Sequence, residues 1–508
     1  MSQPARLPRR RFVAAGALSA AAAVVPRHVL GGAEHVPPSE QITLAHIGMG
    51  TQGFREIGAL LAEPRIRIVA VCDPNTDSQD YIEWGAGGIR RTIAELMGDP
   101  DWRKDVPGCP GGREVGRQLV DAYYARNRGK NYTGCRAYAD FRELLDKETD
   151  LDAVKIMTPD HLHAVIAVAA MRKGVHVMTH KPIGNRLNEG RLAIETARRT
   201  KRATLLLAYG AAPGNAAICR HIKKGVIGEL REIHIWTNRP VWPQYTELPT
   251  DTPPIPKGFD WQLWLGPAVD RPYHPHYTHT VFRGWYDFGG GSMADMGIYA
   301  LWPVFDELKL GVPHKIQGWG SHACTITGNT SRVIRNDFSY PLACTFRFWF
   351  KSPDGSDRQL WWYDGGMRPR LPELVERAGT PTGREGIVYI GDDGVITAGF
   401  HGENPILHTE HDTGSLWKLT GNDQQDPARL DHADRMEGFL AACRGEISPE
   451  AAPGNFLSAA EITDTVNLGT VALRAETTIE FDAASGTVKP ARAAKYLTRE
   501  YRPGWELT

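Results

Sequence analysis

The chain has no surplus of either charge. Lys plus Arg and Asp plus Glu number 59 each, so the formal net charge is zero. A nucleic-acid binder or a polybasic membrane surface needs a basic excess, and nothing here supplies one. Cysteine is sparse as well: Cys72, Cys109, Cys135, Cys219, Cys324, Cys344 and Cys443 are scattered, with no C-x-x-C pair. An odd, scattered set argues against a disulfide framework and against a zinc site. Seven thiols suit a chain that folds in a reducing cytosol. No internal repeat is visible. The one marked apolar run, Val13 to Val25, is shorter than the ~20 residues of a membrane-spanning helix, so no stable membrane span is expected. What remains is a chain of 508 residues, long enough for two or three domains with large cores. Its fourteen Trp and sixteen Tyr chiefly fill such cores, and leave some rings to face sugars.

The first 33 residues read as an address. Arg9-Arg10-Arg11-Phe12-Val13 fits the twin-arginine pattern, an Ala- and Gly-rich apolar run follows, and Gly31-Gly32-Ala33 offers a small-residue cleavage site. The expectation is export by the twin-arginine translocation machinery to a periplasmic or other extracytoplasmic location. That route carries folded proteins, with a cofactor already inside.

After Pro37-Pro38 the pattern becomes α/β. Ile42–Ile47 reads as a strand running into Gly48, Gly50 and Gly53 at G-x-G-x-x-G spacing, with a helix from about Gln52 to Leu61. One glycine permits the tight turn, the next lets the backbone approach a pyrophosphate, and the third lets helix pack on strand. Met49, Thr51 and Gln52 lie in the same turn, whose free N–H groups suit an anion. A second strand, Ile66–Cys72, ends at Asp73, twenty residues past Gly53. A carboxylate there holds the adenosine ribose and repels a 2′-phosphate, so the expected cofactor is NAD rather than NADP. Residues 78–132 break the rhythm and read as an insertion on the sheet's edge. Alternation then resumes. A helix spans Phe141–Lys147, and a strand, Ala153–Met157, is followed by Thr158-Pro159-Asp160-His161-Leu162-His163. This loop stands where open parallel sheets place their ligands. Another strand, Val175–Thr179, ends in His180-Lys181-Pro182, which directs Lys181 towards the same crevice. The first domain closes at about residue 208.

From residue 209 longer strands dominate, and Gly391–Gly394 reads as a hairpin turn between two of them. Expected strands include Glu232–Thr237, Val333–Tyr340, Cys344–Phe350 and Gln359–Tyr363, with late helices over Leu430–Ala442 and Phe456–Leu473. The fold class is therefore a dinucleotide-binding α/β domain at 41–208, followed by an α+β domain at 209–508. Its sheet is large, open and mostly antiparallel. Within it, Gly289-Gly290-Gly291 opens a helix on which Asp295 and Tyr299, four apart, share a face. The stretch Arg271 to Tyr286 is rich in His, Arg and aromatics, and His276 and Arg283 are candidates for sugar hydroxyls and ring faces. Its three histidines have no acid or thiol to complete a metal site. Trp261–Pro267 reads as packing.

Taken together these motifs resemble the Gfo/Idh/MocA family of sugar- and inositol-type oxidoreductases over about Gln41 to Thr478. Gly48–Gly53 stands for the nucleotide fingerprint. Thr158–His163 resembles the T-P-x-x-x-H loop, which puts Thr158, Pro159, His161 and His163 beside the cofactor. His180-Lys181-Pro182 resembles E-K-P with His for Glu. Gly289–Tyr299 resembles G-G-G-x-x-x-D-x-G-x-H with Tyr for His, and Trp302 stands where a further aspartate often follows. Exported glucose–fructose oxidoreductase in this family also carries tyrosine there. The resemblance implies oxidation of a secondary hydroxyl of a sugar or polyol. Tyr299 would take the proton, Lys181 would lower the tyrosine's pKa and hold the hydroxyl oxygen, and Asp295 would orient substrate or tune the pair. An NAD-requiring glycoside hydrolase or lyase would need the same groups. The resemblance also implies a homo-oligomer. With NAD scarce outside the cytoplasm, the cofactor is expected to be held tightly and restored in each turnover.

Overall fold

The computed structural model describes residues 40–128, 134–352, 354–421 and 432–507. The twin-arginine stretch lies outside them.

Six parallel strands form the first sheet: β1 (Ile42–Ile47), β2 (Ile66–Cys72), β3 (Arg136–Tyr138), β4 (Ala153–Ile156), β5 (His176–Thr179) and β6 (Thr204–Leu206). Their order is β3-β2-β1-β4-β5-β6. β1 lies in the middle, paired with β2 and β4, and is apolar on both faces because helices cover both. The chain's direction of winding reverses between β1 and β4. That opens a crevice at their C-terminal ends, the place such sheets bind ligands.

α1 (Thr51–Ala62) buries Gly53, Phe54, Ile57, Leu60 and Leu61, a stripe at helical spacing. It stops at Glu63 because Pro64 cannot follow in a helix. Between β2 and β3 lie α2 (Gly88–Met97) and α3 (Arg113–Asn127). The sequence reading placed both in an insertion. In the structure α3 packs on α1, β2 and β3, as the crossover helix of the domain. Only the stretch from about 74 to 112 stands outside the ordinary winding. α4 (Phe141–Lys147), α5 (Asp160–Arg172) and α6 (Leu187–Thr200) complete the first layer.

The second sheet has ten strands. In spatial order they are Thr413–Ser415, Ile406–His408, Val395–Ala398, Gly386–Gly391, β7 (Leu230–Trp236), Asp357–Tyr363, Cys344–Lys351, Lys315–Gly320, Ile479–Asp482 and Thr487–Lys489. All neighbours are antiparallel except β7 with Asp357–Tyr363. Alternation is clean on the central strands. Phe346, Phe348, Leu360, Trp362, Ile233 and Ile235 point into the core. On the other face Trp319, Trp361 and Tyr363 stand with parallel rings, and Arg347 lies between Trp349 and Trp361. The expected strand Val333–Tyr340 is absent. Cys324–Thr327 and Thr330–Val333 form a separate, exposed hairpin, and the chain after it turns inward to bury Tyr340.

α7 (Pro213–Ile222), α8 (Ile298–Leu308) and α9 (Ala460–Ala475) cover the inner face. α9 also packs on α6, so one continuous apolar core runs from Ala45 through the sheet domain to Trp505. The chain returns to the first domain twice. Phe439, Leu440 and Ala442 join the core around α1 and α3. Near the other end Arg499 makes a fully buried ion pair with Glu189 of α6.

Candidate active site

The glycine turn sits at the tip of β1. Gly48 has φ +98°, and a Cβ there would meet the Met157 carbonyl, just past β4, at 2.5 Å; a Cβ on Gly53 would meet the Gly48 carbonyl at 2.5 Å. No side chain caps the start of α1, so its first N–H groups remain available to an anion. Asp73 lies across the turn and accepts from the Met49 N–H at 2.7 Å and the Asn75 N–H at 2.8 Å. Burial pushes its carboxyl up to about 6. The Tyr81 hydroxyl, from the stretch after β2, also donates to Asp73 at 3.3 Å. Its ring covers Gly50, so a ribose can reach Asp73 only if Tyr81 gives way.

From here a cleft runs between the two domains. Gly48, Gly50, Thr51, Gln52 and Asp73 line its nucleotide end, and Thr158, Pro159, His163, His180 and Arg283 its far end. Asp140, Phe141 and Trp505 complete the nucleotide side. Trp505, whose ring meets Phe141 at 6.0 Å, has no counterpart in the sequence reading. Asp160 accepts from the Gly290 N–H at 2.9 Å and so ties the loop after β4 to the glycine turn before α8.

At the far end the charged groups converge. Lys181 Nζ donates to Asp295 Oδ1 at 2.5 Å, and Arg283 Nε donates to the same oxygen at 3.1 Å. Burial alone would raise the Asp295 carboxyl, but the Lys181 and Arg283 charges outweigh it and hold it well below the usual range. Burial lowers the Lys181 ammonium. Asp295 lies in a π-helical turn, Met293–Gly297, that leads into α8. The extra residue of such a turn re-aims side chains, yet Asp295 and Tyr299 both reach Lys181. They do so differently: Lys181 Nζ lies 5.0 Å over the Tyr299 ring. The Tyr299 hydroxyl instead meets His180 Nε2 at 3.0 Å.

This corrects the expected activation of the tyrosine. The Lys181 charge is neutralised at Asp295 and faces the ring rather than the hydroxyl. Burial and the Asp295 carboxylate push the Tyr299 phenol up. The phenol therefore keeps its proton, and its partner is His180. Burial and Lys181 push the His180 imidazole down to about 3, so the ring is neutral. Beyond it stands Glu56 of α1, whose Oε1 is 3.5 Å from the same nitrogen. Glu56 also receives Lys155 at 3.0 Å and Gln52 at 2.7 Å. Burial opposes its charge, but Lys155 outweighs burial and holds it at about 2. The path Tyr299–His180–Glu56 is invisible in the sequence, because Glu56 and Lys155 meet His180 only through tertiary packing of α1, β4 and the end of β5.

The matches to known proteins fall on both domains. A model described as the oxidoreductase family's NAD-binding Rossmann fold matches residues 115–208, and one described as its C-terminal alpha/beta domain matches 226–311. Both models describe Gfo/Idh/MocA oxidoreductases, and these two stretches of the chain are similar to that family. Among similar proteins, a levoglucosan dehydrogenase of Pseudarthrobacter phenanthrenivorans is 35% identical over 94 residues, which is 18% of this chain and 24% of that protein. A glycosyl hydrolase family 109 protein of Shewanella pealeana is 25% identical over 244 residues, 44% of each. The chain thus spans less than half the length of these curated relatives. Among solved structures, a WlbA dehydrogenase from Chromobacterium violaceum, in complex with NADH and UDP-GlcNAcA, superposes with TM-score 0.51 at 17% identity. That match covers 87% of this chain and 97% of the other, a likeness of fold.

Not every candidate lines the cleft. Lys181, Asp295 and Tyr299 are not among its lining residues, but Asp295 bonds Arg283 and Tyr299 bonds His180, which are. Met49 presents its backbone N–H to Asp73 and packs its side chain on Gly116. Gly53 serves helix–strand packing. His163 faces the carbonyls of Pro182 at 2.6 Å and Thr158 at 2.8 Å; burial lowers its pKa, so the neutral ring donates to one of them. His161 points away, bonded to the Trp264 carbonyl at 2.9 Å among Trp264 and Phe288. His276 also points away, its ring 4.1 Å from Tyr245. The histidine of that stretch that does line the cleft is His279, its ring tilted against Tyr81 with centroids 4.2 Å apart. Trp302 is core, packed edge-on against Tyr209. Among the described residues no cluster of His, Cys, Asp or Glu is placed to hold a metal, and no helix is long and apolar enough to cross a membrane.

Proposed function

We propose that this protein oxidises a secondary hydroxyl of a sugar or polyol, using a tightly held NAD. The observation that carries this is the convergence of Lys181, Arg283, Asp295 and the Tyr299–His180 pair at the end of a cleft that begins at an uncapped helix and Asp73. The cleft's nucleotide end fits a dinucleotide once Tyr81 gives way: Gly50 puts no side chain in the path of a pyrophosphate, the first turn of α1 supplies donors, and Asp73 supplies a ribose acceptor. NAD, when bound, supplies the hydride acceptor.

The protein's own groups do the rest. Lys181 and Arg283 hold the substrate oxygen against the charge that grows on it. Asp295 fixes both cations. As the hydroxyl proton leaves, Tyr299 takes it on its oxygen and passes its own to His180 Nε2, in the tautomer with that nitrogen bare. Glu56 then steadies the imidazolium.

Cofactor choice follows Asp73. Above about 6 the group is ionised and repels a 2′-phosphate; below it the proton returns and the repulsion goes. The expected result is that the preference for NAD over NADP, measured as a ratio of dissociation constants, narrows roughly tenfold as pH falls through that value. Asp73→Ser should narrow it at every pH.

A second reading, glycoside cleavage through transient oxidation, is favoured by the glycosyl hydrolase family 109 relatives. Release of the aglycone with no net reduction of cofactor would select it. Export by the twin-arginine route and a homo-oligomer built on the aromatic sheet face belong to the same proposal. One experiment tests the centre of it. The protein is purified, denatured, and the supernatant examined for a released nucleotide. NAD or NADH near one per chain is expected; none would defeat the tightly held cofactor.

A further inference from the structure

Beside the catalytic cluster lies a second hollow that the reaction above does not use. Its walls are Trp84 from the stretch after β2, Arg55 from α1, and Arg239 and Trp242 from the segment after β7. Thr280 lines both it and the main cleft, and Arg283, which holds Asp295, lies 5.8 Å over the Trp242 ring. The two spaces therefore adjoin.

The hollow is rich in unused donors. The Arg239 guanidinium rests 5.6 Å over the half-exposed Trp84 ring, with no hydrogen-bond or ion-pair partner among the described residues. Its Nε and the Trp242 indole N–H are both buried without an acceptor, and Trp242 as a whole is only 6% exposed. Buried donors are nearly always paired, and leaving either of these unpaired is costly. Arg55 has no ionic partner among the described residues either. The carboxylate at hand, Glu83, is engaged elsewhere: it accepts from the Gly87 and Ile89 N–H groups at the start of α2. In the adjoining cluster two cations, Lys181 and Arg283, share the single carboxylate of Asp295. Within the hollow itself the two cations, Arg55 and Arg239, outnumber the one carboxylate, Glu83.

We propose that this hollow binds an anionic group, carboxylate or phosphate, carried by the sugar, so that the substrate is an acidic sugar. The proposal rests on the sugar reading above and narrows it. A planar guanidinium suits two oxygens of one anion, and Arg239 and Trp242 line the same hollow. Trp84 covers the Arg239 guanidinium from the side of the extra stretch, which gives that stretch a role at the site.

The test is direct binding, followed by titration calorimetry at low salt on the protein as purified. The probes are neutral hexoses paired with their uronates and their 6-phosphates. In at least one pair the anionic member should bind about tenfold tighter or more, the range of a hydrogen bond to a charged group. A uronate advantage identifies a carboxylate and a 6-phosphate advantage a phosphate. Arg239→Ala should bring that ratio to about one, and Trp242→Phe, which removes only the N–H and ring size, should reduce it severalfold. Thermal unfolding confirms that each variant is folded. Neutral sugars binding as tightly as their anions in every pair would overturn the proposal, as would an anion preference that survives both substitutions. Reduction of bound cofactor by the same sugars is read separately. Its failure would defeat the oxidoreductase reading and leave the binding ratio to be judged by itself.

Discussion

Replacing Tyr299 by phenylalanine is expected to lower kcat by about 10²–10⁴-fold, the usual worth of a positioned proton acceptor. The amount of nucleotide released on denaturation should not change, because the hydroxyl lies at the far end of the cleft from Gly48–Gly53. Among the described residues the tyrosine's one hydrogen-bonded side-chain partner is His180, so His180→Ala should reproduce much of the loss. A histidine that merely packed would not. The two losses should also fail to add, since both remove the same proton path. Full activity in Tyr299→Phe would transfer the chemistry to Lys181, and losses that multiply would break the path into independent parts.

The second large effect is expected at Lys181. Lys181→Met removes the cation that lies 2.5 Å from Asp295 in a site where both side chains are nearly fully buried. Breaking a buried pair from one side costs about 3–5 kcal/mol. Arg283 remains on the same carboxylate, which places the expected loss near the lower figure. Denaturant unfolding measures it. Turnover should fall as well, since the proposed cradle for the substrate oxygen loses one of its two cations. The two effects separate in the double variant Lys181→Met with Asp295→Asn. Neutralising both partners should recover part of the stability and none of the turnover. A double variant as unstable as Lys181→Met alone would mean that the cost is packing around the lysine stem rather than charge.

How much of this was legible beforehand differs between the two domains. β1, β2 and α4 match their expected bounds, because apolar-rich strands punctuated by the glycine turn and by Asp73 leave few alternatives. The second domain was readable in class and less so in detail. Val333–Tyr340 has strand-like composition, yet what the residues build is set by a neighbouring hairpin and by the pocket that takes Tyr340. Single residues at the site follow the same division. Lys181, Asp295 and Tyr299 announce themselves by motif. Glu56 and Lys155 do not, because their meaning comes from a contact between α1, β4 and β5 that no local spacing encodes. The tyrosine's partner was hidden in plain view: His180 stood inside a motif and was read as a missing glutamate. His279 was passed over for His276 because short 3₁₀ turns give neighbouring histidines no periodic face to choose between.

Trp505 carries a consequence for the order of events in the cell. The ribosome delivers the glycine turn early and the wall formed by Trp505 and Phe141 very late. Until then the nucleotide end of the cleft lacks one side, and the apolar core that joins the two domains is open. A nascent chain can wind its first sheet, but it meets its cofactor with a complete grip only after synthesis has passed residue 505. A first domain expressed by itself should hold nucleotide loosely for that reason, however intact its glycines.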